Sequence, residues 1–171
     1  MAFAVRLDYN VAPRMAYCSS RRTHWYDSAG RVITQFKRPT SFYLLEGYAG
    51  VAEVYLDQWE AGDRSLPTRR AARQACSALR TFARVFPIGQ PRARLWNGRL
   101  HHLSGRPERA WRASLSAAQR LGMPFEAALA HIELGRPADD QPQRQWHLQQ
   151  AQSLLQELGV VQLPPLEPPA I

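Results

Sequence analysis

Five histidines, two cysteines and fourteen acidic residues are the groups in this 171-residue chain that could ligate a metal or move a proton. His101-His102 invites a metal reading. Neighbouring side chains on a helix point roughly 100° apart, however, so the two cannot close on one ion as residues four apart can. His131 and Glu133 are two apart and fail for a similar reason, while His24 and His147 stand in no motif. Nucleophiles fare no better: Ser20, Ser28 and Ser41 lack the Gly-x-Ser-x-Gly setting of a hydrolase elbow, and nothing marks Cys18 as activated. Cys76 lies in an alanine-rich helical pattern and reads as a small buried apolar residue. A Cys18–Cys76 disulfide is open in principle, but two cysteines without a secretion signal weigh against it. Asp139-Asp140 sit in a turn and most simply cap the helix that follows. The expectation is a non-catalytic chain with no metal and no cofactor.

Charge is the next clue. The net charge is +8 and Lys37 is the only lysine. A basic balance suits nucleic acid or an anionic surface, yet the arginines are spread along the chain and mixed with Glu53, Glu60, Glu108, Glu126, Glu133 and Glu157. No tight basic cluster interleaved with aromatics stands out, so nucleic acid is the less favoured partner. Hydrophobic residues make up 45% and charged residues 21%, ordinary values for a globular chain able to bury a core. No apolar run reaches the roughly 18 residues a membrane helix needs, and Arg6 and Asp8 interrupt the N-terminus too early for a secretory signal. The expected compartment is the cytoplasm.

Proline and glycine position these groups by dividing the chain from residue 41 onward into lengths that suit helices. Pro67, Pro91, Pro107, Pro124 and Pro142 each fit a first helical turn, where a missing N–H costs nothing. The spacing predicts helices near 42–61, 67–86, 91–104, 107–121, 124–134 and 142–158. Ala75, Leu79, Phe82 and Phe86 recur along one face, as do Ala110, Ser114, Ala117, Ala118 and Leu121, and then Leu148, Ala151, Leu155 and Leu158. Short connections make consecutive helices antiparallel.

A repeat is visible within this pattern. Gly105-Arg106-Pro107 returns as Gly135-Arg136-Pro137, and Leu121-Gly122 returns as Leu158-Gly159. At an offset of 34, Ala93, Leu95, Leu100, Ala117 and Leu121 meet Ala127, Leu129, Leu134, Ala151 and Leu155. Two helices with a period in the mid-thirties are the tetratricopeptide (TPR) signature. Gly98, Ala110 and Ala117 keep the expected spacing, whereas Arg94, His101 and Ser114 stand where large aromatics are usual. The fold class expected is therefore all-α, a TPR-like stack of antiparallel helix pairs over residues 41–159; a plain helical bundle uses the same facts. Residues 1–40 read as an irregular cover segment or a small hairpin turning at Ser28-Ala29-Gly30. Residues 160–171, with four prolines, read as an extended mobile tail.

Three stretches carry a resemblance: Glu46 to Leu56, Phe82 to Gly89 with Pro91-Arg92-Ala93, and Leu121 to Arg136. Together they resemble the C-terminal TPR-like region of bacterial signalling proteins that join a nucleotide-cyclase domain to an AAA-type ATPase domain. The resemblance implies a regulatory helical tail that receives a partner or controls the enzymatic domains. It does not extend to those domains, since the chain has neither a phosphate-loop motif nor the paired aspartates of a cyclase core. The chain is then a fragment of such a protein or a free-standing relative.

Stacked helix pairs line a concave side with the first helix of each pair. In this register Arg92, Arg99 and His102 look into it from one pair, and Glu126 and Glu133 from the next. Mixed signs suit a peptide carrying both charges. Tyr43, Tyr48 and Tyr55 recur on the first helix and read as core. The partner expected is a protein or peptide, or a neighbouring ATPase or cyclase domain, with a second copy of the chain covering an open end as a further option. An arginine-driven nucleic-acid-binding protein and a small-molecule sensor are the alternatives.

Overall fold

The computed structural model describes residues 39–103, 107–136 and 140–160. Six α-helices and no strand lie among them: α1 Leu45–Glu60, α2 Leu66–Val85, α3 Gln90–His102, α4 Glu108–Arg120, α5 Pro124–Gly135 and α6 Gln141–Glu157. The all-α expectation stands, and each helix lies within about three residues of its predicted span. The largest difference is at the start, where Phe42–Leu44 wind as a 3-10 turn with Ser41 as N-cap before α1 begins.

Local chemistry explains the boundaries. The Ser65 hydroxyl accepts from the Thr68 amide, Asp63 accepts from both the Ser65 amide and the Thr68 hydroxyl, and Pro67 stands in the first turn of α2. Gly62 and Gly122, just beyond α1 and α4, take positive φ values of 104° and 63°, a conformation that side chains other than glycine resist. Gly135 closes a helix without a positive φ. It is the last residue of α5, and a Cβ there would sit 3.2 Å from a Leu148 methyl, so its smallness lets α6 approach. Asp140 does occupy the N-cap of α6, but its side chain makes no capping hydrogen bond.

Each helix packs on the one before it, and the odd-numbered helices also touch in succession, α1 on α3 and α3 on α5. Short connections make sequential neighbours antiparallel. One core runs from α1 to α5, with Leu56, Leu79, Phe82, Leu95 and Trp111 almost wholly enclosed. A smaller one joins Ala128 and Ile132 of α5 to Ala151 and Leu155 of α6. Burying side chains of this size contributes about 1.5–3 kcal/mol each. Alanines at 49, 52, 72, 117, 128, 130 and 151 line the contacts and permit close approach. α6 carries seven glutamines, all exposed, together with the exposed Trp146. No described helix is long and apolar enough to cross a membrane. The proposed cover or hairpin, apart from residues 39–40, and the tail beyond residue 160 lie outside the described residues.

Candidate functional site

The odd-numbered helices carry ionisable residues seven apart, close to two helical turns, which sets them on one face. On α1 these are Glu46, Glu53 and Glu60, with Asp57 between; on α3, Arg92 and Arg99; on α5, Glu126 and Glu133. Arg92 Nη2 donates to Glu126 Oε1 at 2.9 Å, a bond between residues 34 apart in sequence, and Nη1 lies 3.8 Å from Glu46. Arg99 Nη2 donates to Asp57 Oδ1 at 2.8 Å, its Nε donates to Glu60 Oε1 at 3.0 Å, and Nη2 also bonds Glu60 Oε2. The Trp96 ring lies between the two guanidiniums, 6.0 Å from Arg92 and 5.1 Å from Arg99. Arg136, at the end of α5, pairs with Glu133 at 3.5 Å.

Four of the five residues expected to line a groove are thus drawn together, but as buried partners of a network within the chain. Arg92 and Arg99 are only 3% and 6% exposed, and Glu126 and Glu133 are equally enclosed. Both arginines, expected to look into a groove, are instead paired within the chain, although Arg92 Nε is buried without a hydrogen-bond partner among the described residues. His102 is exposed, rests against Trp111 at a ring distance of 5.8 Å, and lies near enough to Glu133 for its charge to favour the carboxylate.

Burial and crowding shift the acids. Loss of hydration raises the Glu53 pKa, the Asp57 charge adds to this, and Arg92 and Arg99 oppose it. Asp57 is also raised, mainly by burial, despite its bond to Arg99. Glu133 is raised by burial against the pull of Arg136 and Arg99. Arg99 is held charged by Glu60 and Asp57. Six carboxylates share three guanidiniums, so the face carries an excess of negative charge on a basic protein.

Sequence reasoning picked out the α3 and α5 members and missed Glu46, Glu53, Asp57 and Glu60 of α1 and Arg136 just past the end of α5. The seven-residue spacing of 46, 53 and 60 was the signal that matched 92/99 and 126/133. Of the tyrosines expected in the core, Tyr48 and Tyr55 are buried, whereas Tyr43 is exposed on the 3-10 turn and stacks on Phe42. Cys76 carries a free, enclosed thiol, with burial pushing its pKa up to about 12, which leaves it unreactive at neutral pH. His131 and His147 meet in the interior between α5 and α6, Nδ1 to Nδ1 at 2.9 Å, with Trp146 edge-on to both. No group of three or more potential metal ligands occurs among the described residues. Compared with known proteins, the chain matches no family model, no curated protein and no solved structure.

Proposed function

We propose that this chain is a non-catalytic, TPR-like interaction module whose odd-numbered helices receive an arginine- or lysine-rich segment of a protein partner. The observation that carries the reading is the charge of the α1–α3–α5 face, where Arg92 and Arg99 are buried and paired within the chain and carboxylate remains in excess. Glu46, the most accessible of these acids, has a side chain 76% exposed and only a distant contact to Arg92. Asp57 and Glu60 each keep more than a quarter of their side chain exposed. A cationic segment laid along this face meets Asp57 and Glu60 already held in place by Arg99, so less ordering cost falls on these two acids than on the freer Glu46.

The resemblance to the helical tails of ATPase–cyclase signalling proteins gives the same reading a setting: a cytoplasmic regulatory unit, with a partner protein or a neighbouring domain supplying the basic segment. Fluorescence anisotropy with two labelled peptides of equal length, one rich in arginine and lysine and one rich in glutamate, tests it. The basic peptide should bind, the acidic one should not, and Glu46→Arg should weaken binding without lowering the melting temperature. Equal binding of both peptides, or binding indifferent to Glu46→Arg, would count against the acidic face as the receiving surface.

A further inference from the structure

On the other side of α3 the charge is reversed. A cleft of about 580 Å³ opens between α2, α3 and α4, and no acidic residue lines it among the described residues. Arg80 and Arg84 enter it from α2, Arg94, Asn97 and His101 from α3, and Arg109 from α4. The remaining wall includes four alanines. We propose that this cleft binds a small molecule bearing an oligophosphate group, of the size of a nucleoside di- or triphosphate.

Two of the arginines are already aimed. Arg94 Nη1 donates to the Ala113 carbonyl at 3.0 Å, and Arg80 Nη1 donates to Asn97 Oδ1 at 3.1 Å. Each such bond uses one of five N–H donors and leaves the rest of the planar fork for an anion. Arg84 and Arg109 have no hydrogen-bond or ion-pair partner among the described residues. The nearby Glu108 does not neutralise them, because it pairs with Arg112 at 2.6 Å. Four guanidiniums around one concavity repel one another unless an anion sits between them, and guanidinium matches phosphate in geometry as well as charge. Arg94 and His101 also stand where helix-pair repeats usually carry large aromatics, so positions that would otherwise fill this space with apolar rings line it with polar groups.

The cleft shape selects among anions. Its volume falls within the usual range for small-molecule sites, and its cationic groups come from three helices around one concavity. A nucleic-acid backbone is matched instead by an extended basic stripe. The alanine methyls offer an apolar wall against which a base can rest.

Calorimetric titration of the full-length chain with ATP, tripolyphosphate and adenosine, at low and physiological salt, tests the proposal. Arg84→Ser/Arg109→Ser removes the two unpartnered cations, both exposed. Arg70→Ser/Arg73→Ser removes two exposed charges of α2 outside the cleft and keeps the net charge matched. ATP and tripolyphosphate should bind and adenosine should not; the cleft variant should weaken ATP roughly tenfold or more, and the control by less than about twofold. Tighter binding of ATP than of tripolyphosphate assigns the alanine wall to the base, and equal binding assigns the site to the phosphate chain alone. No binding of either at millimolar concentration, equal weakening by both variants, or a single-stranded oligonucleotide that displaces ATP and still binds the cleft variant would overturn it. The acidic face plays no part in this site, so either proposal can fail alone.

Discussion

Arg99→Met tests whether the buried ion pairs hold the odd-numbered helices together. Arg99 is 6% exposed and is the shared partner of Asp57 and Glu60 on the neighbouring helix. Methionine keeps much of the aliphatic contact with Trp96 but strands both carboxylates, with Glu53 and Glu133 close by. Breaking a buried pair from one side costs about 3–5 kcal/mol. Here both acids retain 28–29% exposure and water recovers part of the loss, so we expect about 2–3 kcal/mol. For a chain of this size that lowers the melting temperature by roughly 5–10 °C. Urea unfolding followed by tryptophan fluorescence measures it directly. Adding Asp57→Asn and Glu60→Gln to Arg99→Met should restore most of the loss, because the penalty comes from uncompensated charge. A loss under about 0.5 kcal/mol for the single variant, or a triple variant no more stable than the single one, would mean that these ion pairs do not hold the helices together.

Gly98→Ala should destabilise by about 1–3 kcal/mol, since the added Cβ would lie 2.3 Å from Trp111 Cδ1 and that ring is fully enclosed; an unchanged thermal melt would contradict it. Glu53→Gln should leave the fold equally or more stable at neutral pH. Its folded-state pKa is raised, so the protonated form contributes stability that is lost as pH rises through that value, and the advantage of glutamine should vanish on acidification. The histidine pair acts with the opposite sign. Burial, reinforced by the His147 charge, lowers His131 to about 4, and His147 is also lowered. The unfolded chain therefore binds more protons between about pH 6.5 and 4, and stability present above that window is lost as pH falls through it. For His131 alone the loss reaches about 3 kcal/mol at most, and roughly half that after screening by water at this outermost helix pair. Denaturation midpoints across the window should fall less steeply for His131→Gln than for the natural chain.

Much of the helical framework was legible because its punctuation is covalent: proline in first turns and glycine just past the ends fix boundaries before any packing is considered. The offset of 34 was legible too, and Arg92 and Glu126 meet across it. Where the pattern misled, tertiary contact decided. Leu121 and Leu155 align in sequence, yet Leu155 is buried within α6 while Leu121 lies just past the end of α4 and is 38% exposed. Ser114 stands where an aromatic was expected and is fully enclosed, because its hydroxyl donates to the Pro91 carbonyl at 2.7 Å. The charged face was only half legible. Alternation of charge with a seven-residue spacing identifies a helix face, but whether that face meets water or another helix depends on which helices touch. The basic cleft was not legible at all, since Arg80, Arg94 and Arg109 come from three helices and look scattered along the chain.

Reception of a basic segment by the α1–α3–α5 face, as proposed, leaves a footprint on the backbone amides. Amide hydrogen exchange of the full-length chain with and without a saturating arginine- and lysine-rich peptide tests it most directly. Added protection should concentrate in α1, α3 and α5, with α2, α4 and the glutamine side of α6 unchanged. Protection centred on α2 and α4, or none at saturation, would contradict it.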